Sequence, residues 1–167
     1  FYPLVSKEAD AYKRLLDTAK KMAEEGVKVR ATVVTDALYD LILFLTHSFV
    51  RPIDTELYGL KHKHVSVRDD PKSLLLTIPN GKTGFRHTNT MSGAVSVYKR
   101  IVERNTELNG PDDYLFFPSY RNRASAKRIA QRLFNELLKR CDLKGNPVFE
   151  YSHSLYSLRH TAICMRL

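Results

Sequence analysis

Three cations in this chain stand at breaks in its pattern or inside a short motif: Arg51, Lys82 and Arg159. Arg51 falls where a long apolar helical pattern breaks at Pro52, and Lys82 sits in the glycine-rich stretch Asn80-Gly81-Lys82-Thr83-Gly84. Arg159 belongs to Tyr156-Ser157-Leu158-Arg159-His160-Thr161, in which Tyr156 precedes it by one helical turn, so that both side chains can share a face. A phosphodiester gains negative charge as it becomes pentacoordinate, and two planar guanidinium groups can fork onto its nonbridging oxygens in a way lysine does not match. Taken singly, Arg51 also reads as an arginine favoured by a helix C-terminus, and Lys82 as a solvated charge in a turn.

The elements that must position these residues follow from periodicity. A first helix is expected after Ser6, with Tyr12, Leu15, Leu16, Ala19, Met22 and Ala23 as its apolar stripe and Gly26 as its stop. A second, central helix is expected from about Thr35 to Phe49, and a short one from Ile53 to Leu60 beside Arg51. From His62 to Thr90 the period changes to two, with Val65 and Val67, then Leu74, Leu76 and Ile78, separated by Asp69-Asp70-Pro71 and Asn80-Gly81. Three short antiparallel strands are predicted there. Helical spacing returns from Ala94 to Leu108 and again from Ile129 to Cys141, with Tyr114 to Pro118 as a buried connector between them. A last helix is expected from near Ser154, carrying Arg159. The fold class is therefore mainly α with a small antiparallel three-stranded β-sheet, an α+β domain spanning residues 1–167.

Composition limits the partners. Twenty-seven lysines and arginines against 18 acidic residues give a net charge of +9, which favours a polyanion, nucleic acid first among them. Arg121, Arg123, Lys127, Arg128 and Arg132 cluster at the start of a predicted helix, where phosphate-backbone contact competes with a simple solvated face. His62 and His64 alternate with Lys61 and Lys63. Two histidines without a third ligand rarely make a zinc site, so a basic strand beside nucleic acid is the better reading. No apolar run reaches membrane-spanning length, since Asp36, Asp40 and His47 interrupt Thr32 to Val50. Cys141 and Cys164 lack CxxC spacing and read as reduced core cysteines of a cytoplasmic protein. The start, Phe1-Tyr2-Pro3, has neither an initiator Met nor a signal-peptide pattern and reads as a piece of a longer chain.

Leu158-Arg159-His160-Thr161, taken with Arg51 and the Lys82-Thr83-Gly84 run, resembles the active-site core of the tyrosine recombinases, the phage-type integrases. The resemblance extends over nearly the whole chain. It implies a catalytic domain with the helical fold and three-stranded sheet shared with type IB topoisomerases, without an N-terminal DNA-binding domain and without the segment that carries the nucleophilic tyrosine. It further implies that Arg51 and Arg159 stabilise the phosphorane and that Lys82, from its hairpin, protonates the leaving oxygen. Tyr156 takes the position commonly held by histidine; a phenol, with a reference pKa of about 10, is a poor base near neutral pH but can hydrogen-bond a phosphate. Asp54 stands at the family's acidic spacing from Arg51, with Glu56 the other candidate for holding the guanidinium, and His160 is a structural hydrogen-bonding residue. Lys61, Lys63, Arg121, Arg123, Lys127 and Arg128 are expected on the DNA backbone.

The implied activity is site-specific DNA recombination by a phage or genomic-island integrase. Tyrosine attack gives a 3′-phosphotyrosyl link, which a 5′-hydroxyl reverses, with no metal or nucleotide cofactor. Double-stranded attachment-site DNA is the implied partner, with self-association into a synaptic tetramer, in a bacterial or phage-encoded, nucleoid-associated protein. Two alternatives share the fold: a non-catalytic DNA-binding or regulatory relative, and a type IB topoisomerase.

Overall fold

A computed structural model describes residues 6–48, 50–141, 155 and 158, with side chains from Ala11 onward. Among these residues the chain is α+β, with four α-helices and two small antiparallel sheets. Helix α1 spans Ser6–Glu25 and stops at Gly26, whose φ of 64° is left-handed. There the Val27 N–H reaches the Met22 carbonyl and the Gly26 N–H reaches the Ala23 carbonyl, the paired bonds that close a helix terminus. A hairpin absent from the sequence reading follows, strands β1 (Lys28–Val29) and β2 (Thr32–Val33), too short for periodicity to reveal.

Helix α2 spans Asp36–His47; the Thr35 hydroxyl accepts the Ala37 N–H at its start. Its buried residues Leu38, Leu41, Ile42, Phe44 and Leu45 lie on more than one stripe, as befits a helix packed by α1 on one side and by α3 (Gly93–Arg104) on another. One polar group is sealed into this contact. Asp40 on α2 is fully buried and accepts from Arg100 Nε and Nη2 at 3.0 and 2.7 Å and from Arg104 Nη1 at 2.6 Å, both on α3.

The predicted three-stranded sheet has the order β3 (Val65–Asp69), β4 (Lys72–Gly81), β5 (Gly84–Asn89), with Leu74, Leu76 and Ile78 of β4 facing the core. Helix α4 spans Arg123–Arg140, begins six residues earlier than its apolar spacing indicated, and is capped by Asn122, whose side chain accepts the Ala124 and Ser125 N–H groups. Its Ala130, Leu133, Phe134, Leu137 and Leu138 join the common core, together with Leu115 and Phe116 of the connector, Cys141, Leu155 and Leu158.

Three further expectations are corrected. The segment Ile53 to Leu60 holds only a 3-10 turn at Leu57–Gly59, because the Ile53 and Leu57 N–H groups both turn back to the Arg51 carbonyl instead of forming a helical ladder. His62 and His64 do not alternate along a strand; they lie in a 3-10 turn, His62–His64, that precedes β3. Helix α3 ends at Arg104, short of Leu108, which is exposed beyond the turn. No helix among the described residues is long and apolar enough to cross a membrane.

Candidate functional site

The site is built around a buried carboxylate. Helix α2 has already ended at His47, with Ser48 extended, and the loop that carries Arg51 and Pro52 winds back over the Arg51 carbonyl, with Ile53 N–H at 2.8 Å and Leu57 N–H at 3.1 Å. This return carries Glu56 inward, to full burial, while Asp54 stays exposed. Of the two acidic candidates beside Arg51, Glu56 is therefore the one that holds it.

Each Glu56 oxygen accepts two hydrogen bonds. Oε1 takes the Arg51 backbone N–H at 3.1 Å and Arg86 Nη2 at 2.9 Å; Oε2 takes Arg51 Nη1 at 3.1 Å and the Lys82 backbone N–H at 3.0 Å. Burial on its own would raise the Glu56 pKa. The Arg86 hydrogen bond, the Lys82 and Arg51 N–H groups and the Arg86 charge outweigh it and hold the carboxyl down at about 2. Glu56 is thus ionised at any ordinary pH, with the Arg51 and Arg86 guanidinium groups and the Lys82 main-chain N–H around it.

Lys82 and Thr83 form the turn between β4 and β5, closed by the pair Gly81 and Gly84, and the Lys82 side chain is exposed. Gly81 is needed for the close approach to Glu56. A Cβ there would stand 3.0 Å from Ile78 Cγ2, 3.1 Å from Glu56 Oε2 and 3.2 Å from the Gly84 carbonyl. Arg51 and the turn that carries Lys82 are brought to one point. Arg86 and Gly81, which complete that point, were not singled out in the sequence.

Tyr156, Arg159 and His160 lie outside the described residues. Their neighbours Leu155 and Leu158 are anchored: both are buried, the Leu155 N–H donates to Gln131 Oε1 of α4 at 3.1 Å, and the Leu158 N–H donates to the Leu155 carbonyl at 3.1 Å. A cleft of about 390 Å³ joins Leu155 to the loop after Arg51 (Pro52, Asp54) and to Lys127, Arg128 and Gln131 of α4. Tyr58 lines it too, with a buried hydroxyl that has no hydrogen-bond partner among the described residues; burial first, then the Asp54 charge, raises its pKa, so the phenol stays protonated.

The expected backbone-binding cations divide into two kinds. Arg121, Lys127 and Arg128 are exposed. Lys61 and Lys63 line a second cleft of about 340 Å³ with His64, Asn80 and Tyr114; Lys61 Nζ lies 5.4 Å over the Tyr114 ring, and Lys63 pairs with exposed Asp112 at 2.8 Å. His64 has its pKa lowered by burial and by Lys63 and Lys61.

Arg123 differs from all of these. Its guanidinium turns inward, stacks 3.8 Å from the Tyr114 ring centroid, and donates to the carbonyls of Tyr58, Phe116, Phe117 and Tyr120. Both Nη atoms are taken by main-chain carbonyls while Nε is buried without a partner among the described residues, so Arg123, which also lines the cleft of Lys61 and Lys63, ties α4 to the connector and leaves no Nη hydrogen free for a phosphate. His62 is likewise internal, buried and hydrogen-bonded to Tyr98 at 3.0 Å. Among the described residues no group of three or more His, Cys, Asp or Glu side chains is placed to hold a metal ion.

Comparison with protein-family models, curated proteins and solved structures gives no match for this chain. The functional reading therefore rests on the residues and their geometry.

Proposed function

We propose that this chain carries the phosphate-binding part of a tyrosine-recombinase-type catalytic domain, which cleaves and rejoins DNA through a 3′-phosphotyrosyl intermediate. The observation that carries the reading is the convergence on Glu56. Arg51 comes from the loop after α2, while the Lys82 turn and Arg86 arrive from 26 and 30 residues downstream, and all are held by one carboxylate. A guanidinium fixed in this way keeps its orientation for a phosphate, and an exposed lysine on a two-residue turn can approach a leaving oxygen.

In this reading Arg51 grips a nonbridging oxygen, Arg159 supplies the second fork, Tyr156 hydrogen-bonds the phosphate from the histidine position, and Lys82 protonates the 5′-oxygen as it leaves. The fold is that of the recombinase and type IB topoisomerase catalytic domain. The exposed cations Arg121, Lys127, Arg128, Lys61 and Lys63 hold the duplex backbone. In this reading the attacking group is a tyrosine hydroxyl, as in the recombinase mechanism.

The test is covalent trapping. The parent gene product extending past Leu167, incubated with nicked duplex that prevents religation, gives a DNA–protein adduct stable to detergent, and Arg51→Ala or Arg159→Ala abolishes it. Tight duplex binding by that product without any adduct would replace this reading by a non-catalytic DNA-binding relative. Supercoil relaxation without partner exchange would assign it to the topoisomerases.

A further inference from the structure

The strand β5 presents an arginine to the core side of the sheet, and it does so only because β4 is bulged. Along most of the ladder the pairs are Leu75 with Asn89, Leu76 with Thr88, Thr77 with His87 and Ile78 with Arg86, but the turn is closed by Gly81 with Gly84. Pro79 and Asn80 therefore stand against Phe85 alone, the signature of a one-residue bulge. Had the turn register continued without it, Ile78 would face His87, and Arg86 would point to the outer face. Instead Arg86 shares the inner face with buried Ile78 and reaches Glu56 at 2.9 Å, while Phe85 and His87 pack edge to face on the exposed side.

We infer that Arg86 is a positioning residue for Lys82: through Glu56 it latches the β4–β5 turn to the loop after α2 and so fixes the separation of Lys82 from Arg51. Three observations support the latch. Glu56 is the sole hydrogen-bonding partner of the Arg86 guanidinium among the described residues, since Nη1 is buried without one. The carboxylate that takes Arg86 also takes the Lys82 N–H, so moving one moves the acceptor of the other. Gly81 removes the side chain that would hold the turn away from Glu56 Oε2. The donors facing Glu56 come from each element around it: the charged side chains of Arg51, from the loop after α2, and Arg86, from β5, and the uncharged Lys82 main-chain N–H from the turn.

The inference rests on reading Arg51 and Lys82 as one phosphate site, and two readouts separate the latch from that reading. In the full chain, amide exchange and acid titration of the Lys82 N–H resonance report the latch without DNA. Arg86→Gln is expected to speed Lys82 exchange about tenfold relative to amides of α2, as loss of a charged hydrogen bond predicts. It should also raise the acid midpoint sensed at Lys82. Arg86→Lys, which keeps the charge and loses the fork, should restore part of both effects and serves as the measurable variant if Arg86→Gln does not fold. Wild-type Lys82 exchange and titration in the arginine variants would overturn the latch, whatever DNA does. With the latch present, duplex affinity unchanged by Lys82→Ala and Arg51→Ala would instead remove the phosphate reading, and with it the positioning role.

Discussion

Among the described residues two carboxylates are buried, each between two arginines, and the two differ in where their partners come from. Asp40 is fully enclosed and takes all its side-chain donors from Arg100 and Arg104, successive turns of the single helix α3. Glu56 is equally enclosed, yet takes its donors from the end of α2, from a hairpin turn and from a strand, with two of the four being main-chain N–H groups. The first arrangement braces two packed helices and leaves no exposed loop dependent on it. The second ties the β4–β5 hairpin, which supplies both the turn and the strand, to the loop after α2, and these two segments carry Lys82 and Arg51. A buried ion pair is weak evidence of net stabilisation. The diversity of its partners is better evidence of what it is for.

Removal of either carboxylate is the largest perturbation. Glu56→Ala and Asp40→Ala each strand two arginines, and each should cost about 3–5 kcal/mol in urea unfolding. The variants should part company in duplex binding by the folded protein, which falls for Glu56→Ala and stays near wild type for Asp40→Ala. Equal loss in both would erase the distinction between brace and hub.

Acid should reveal Glu56 next. Its folded pKa, near 2, lies below the value of 4.5 expected when unfolded, so its contribution is fully present above about pH 4.5 and is lost as the pH falls through 2. The size is about 3 kcal/mol over that window. Denaturant unfolding of wild type and Glu56→Gln across pH 2–6 measures it; the glutamine variant should lose this part of the pH dependence. Identical slopes would contradict the ionised, fully paired carboxylate.

Arginines on α4 offer a smaller contrast of the same kind. Arg123→Ala frees four carbonyls and the Tyr114 ring and should lower stability by about 2 kcal/mol. Lys127→Ala and Arg128→Ala should change stability by less than about 0.5 kcal/mol, and each should reduce the salt slope of duplex binding by about one phosphate. A stable Arg123→Ala that binds DNA less well would return Arg123 to the backbone-binding set. Between these two values lies Gly81→Ala, where crowding against Glu56 and Ile78 should cost about 1 kcal/mol and loosen the Lys82 amide.

The parts of this architecture that periodicity can see were legible in the sequence. Helix α2 begins after the Thr35 cap and buries Leu38, Leu41, Ile42 and Leu45 at the helical spacing of the sequence, and Leu74, Leu76 and Ile78 line the inner face of β4. The misses arise where one residue changes direction. Asp54 and Glu56 differ only in how the loop folds back on the Arg51 carbonyl, a closure that no pattern of residue types encodes. Arg86 was passed over because a bulge at Pro79 and Asn80 reverses which side of β5 faces inward, and alternation alone predicts the opposite face. Arg123 looked like one member of a basic cluster; its inward turn depends on carbonyls of the connector that approach only in the folded chain.

Duplex binding measured by fluorescence anisotropy across a range of salt, for Arg51→Ala, Lys82→Ala and Arg100→Ala against wild type, tests most directly whether the Glu56 hub presents a phosphate site. At about 0.1 M salt, Arg51→Ala should bind about tenfold more weakly, Lys82→Ala about fivefold, and Arg100→Ala within about twofold, with the salt slope reduced by about one for each of the first two. Wild-type affinity and slope in Arg51→Ala and Lys82→Ala, or an equal loss in Arg100→Ala, would contradict it.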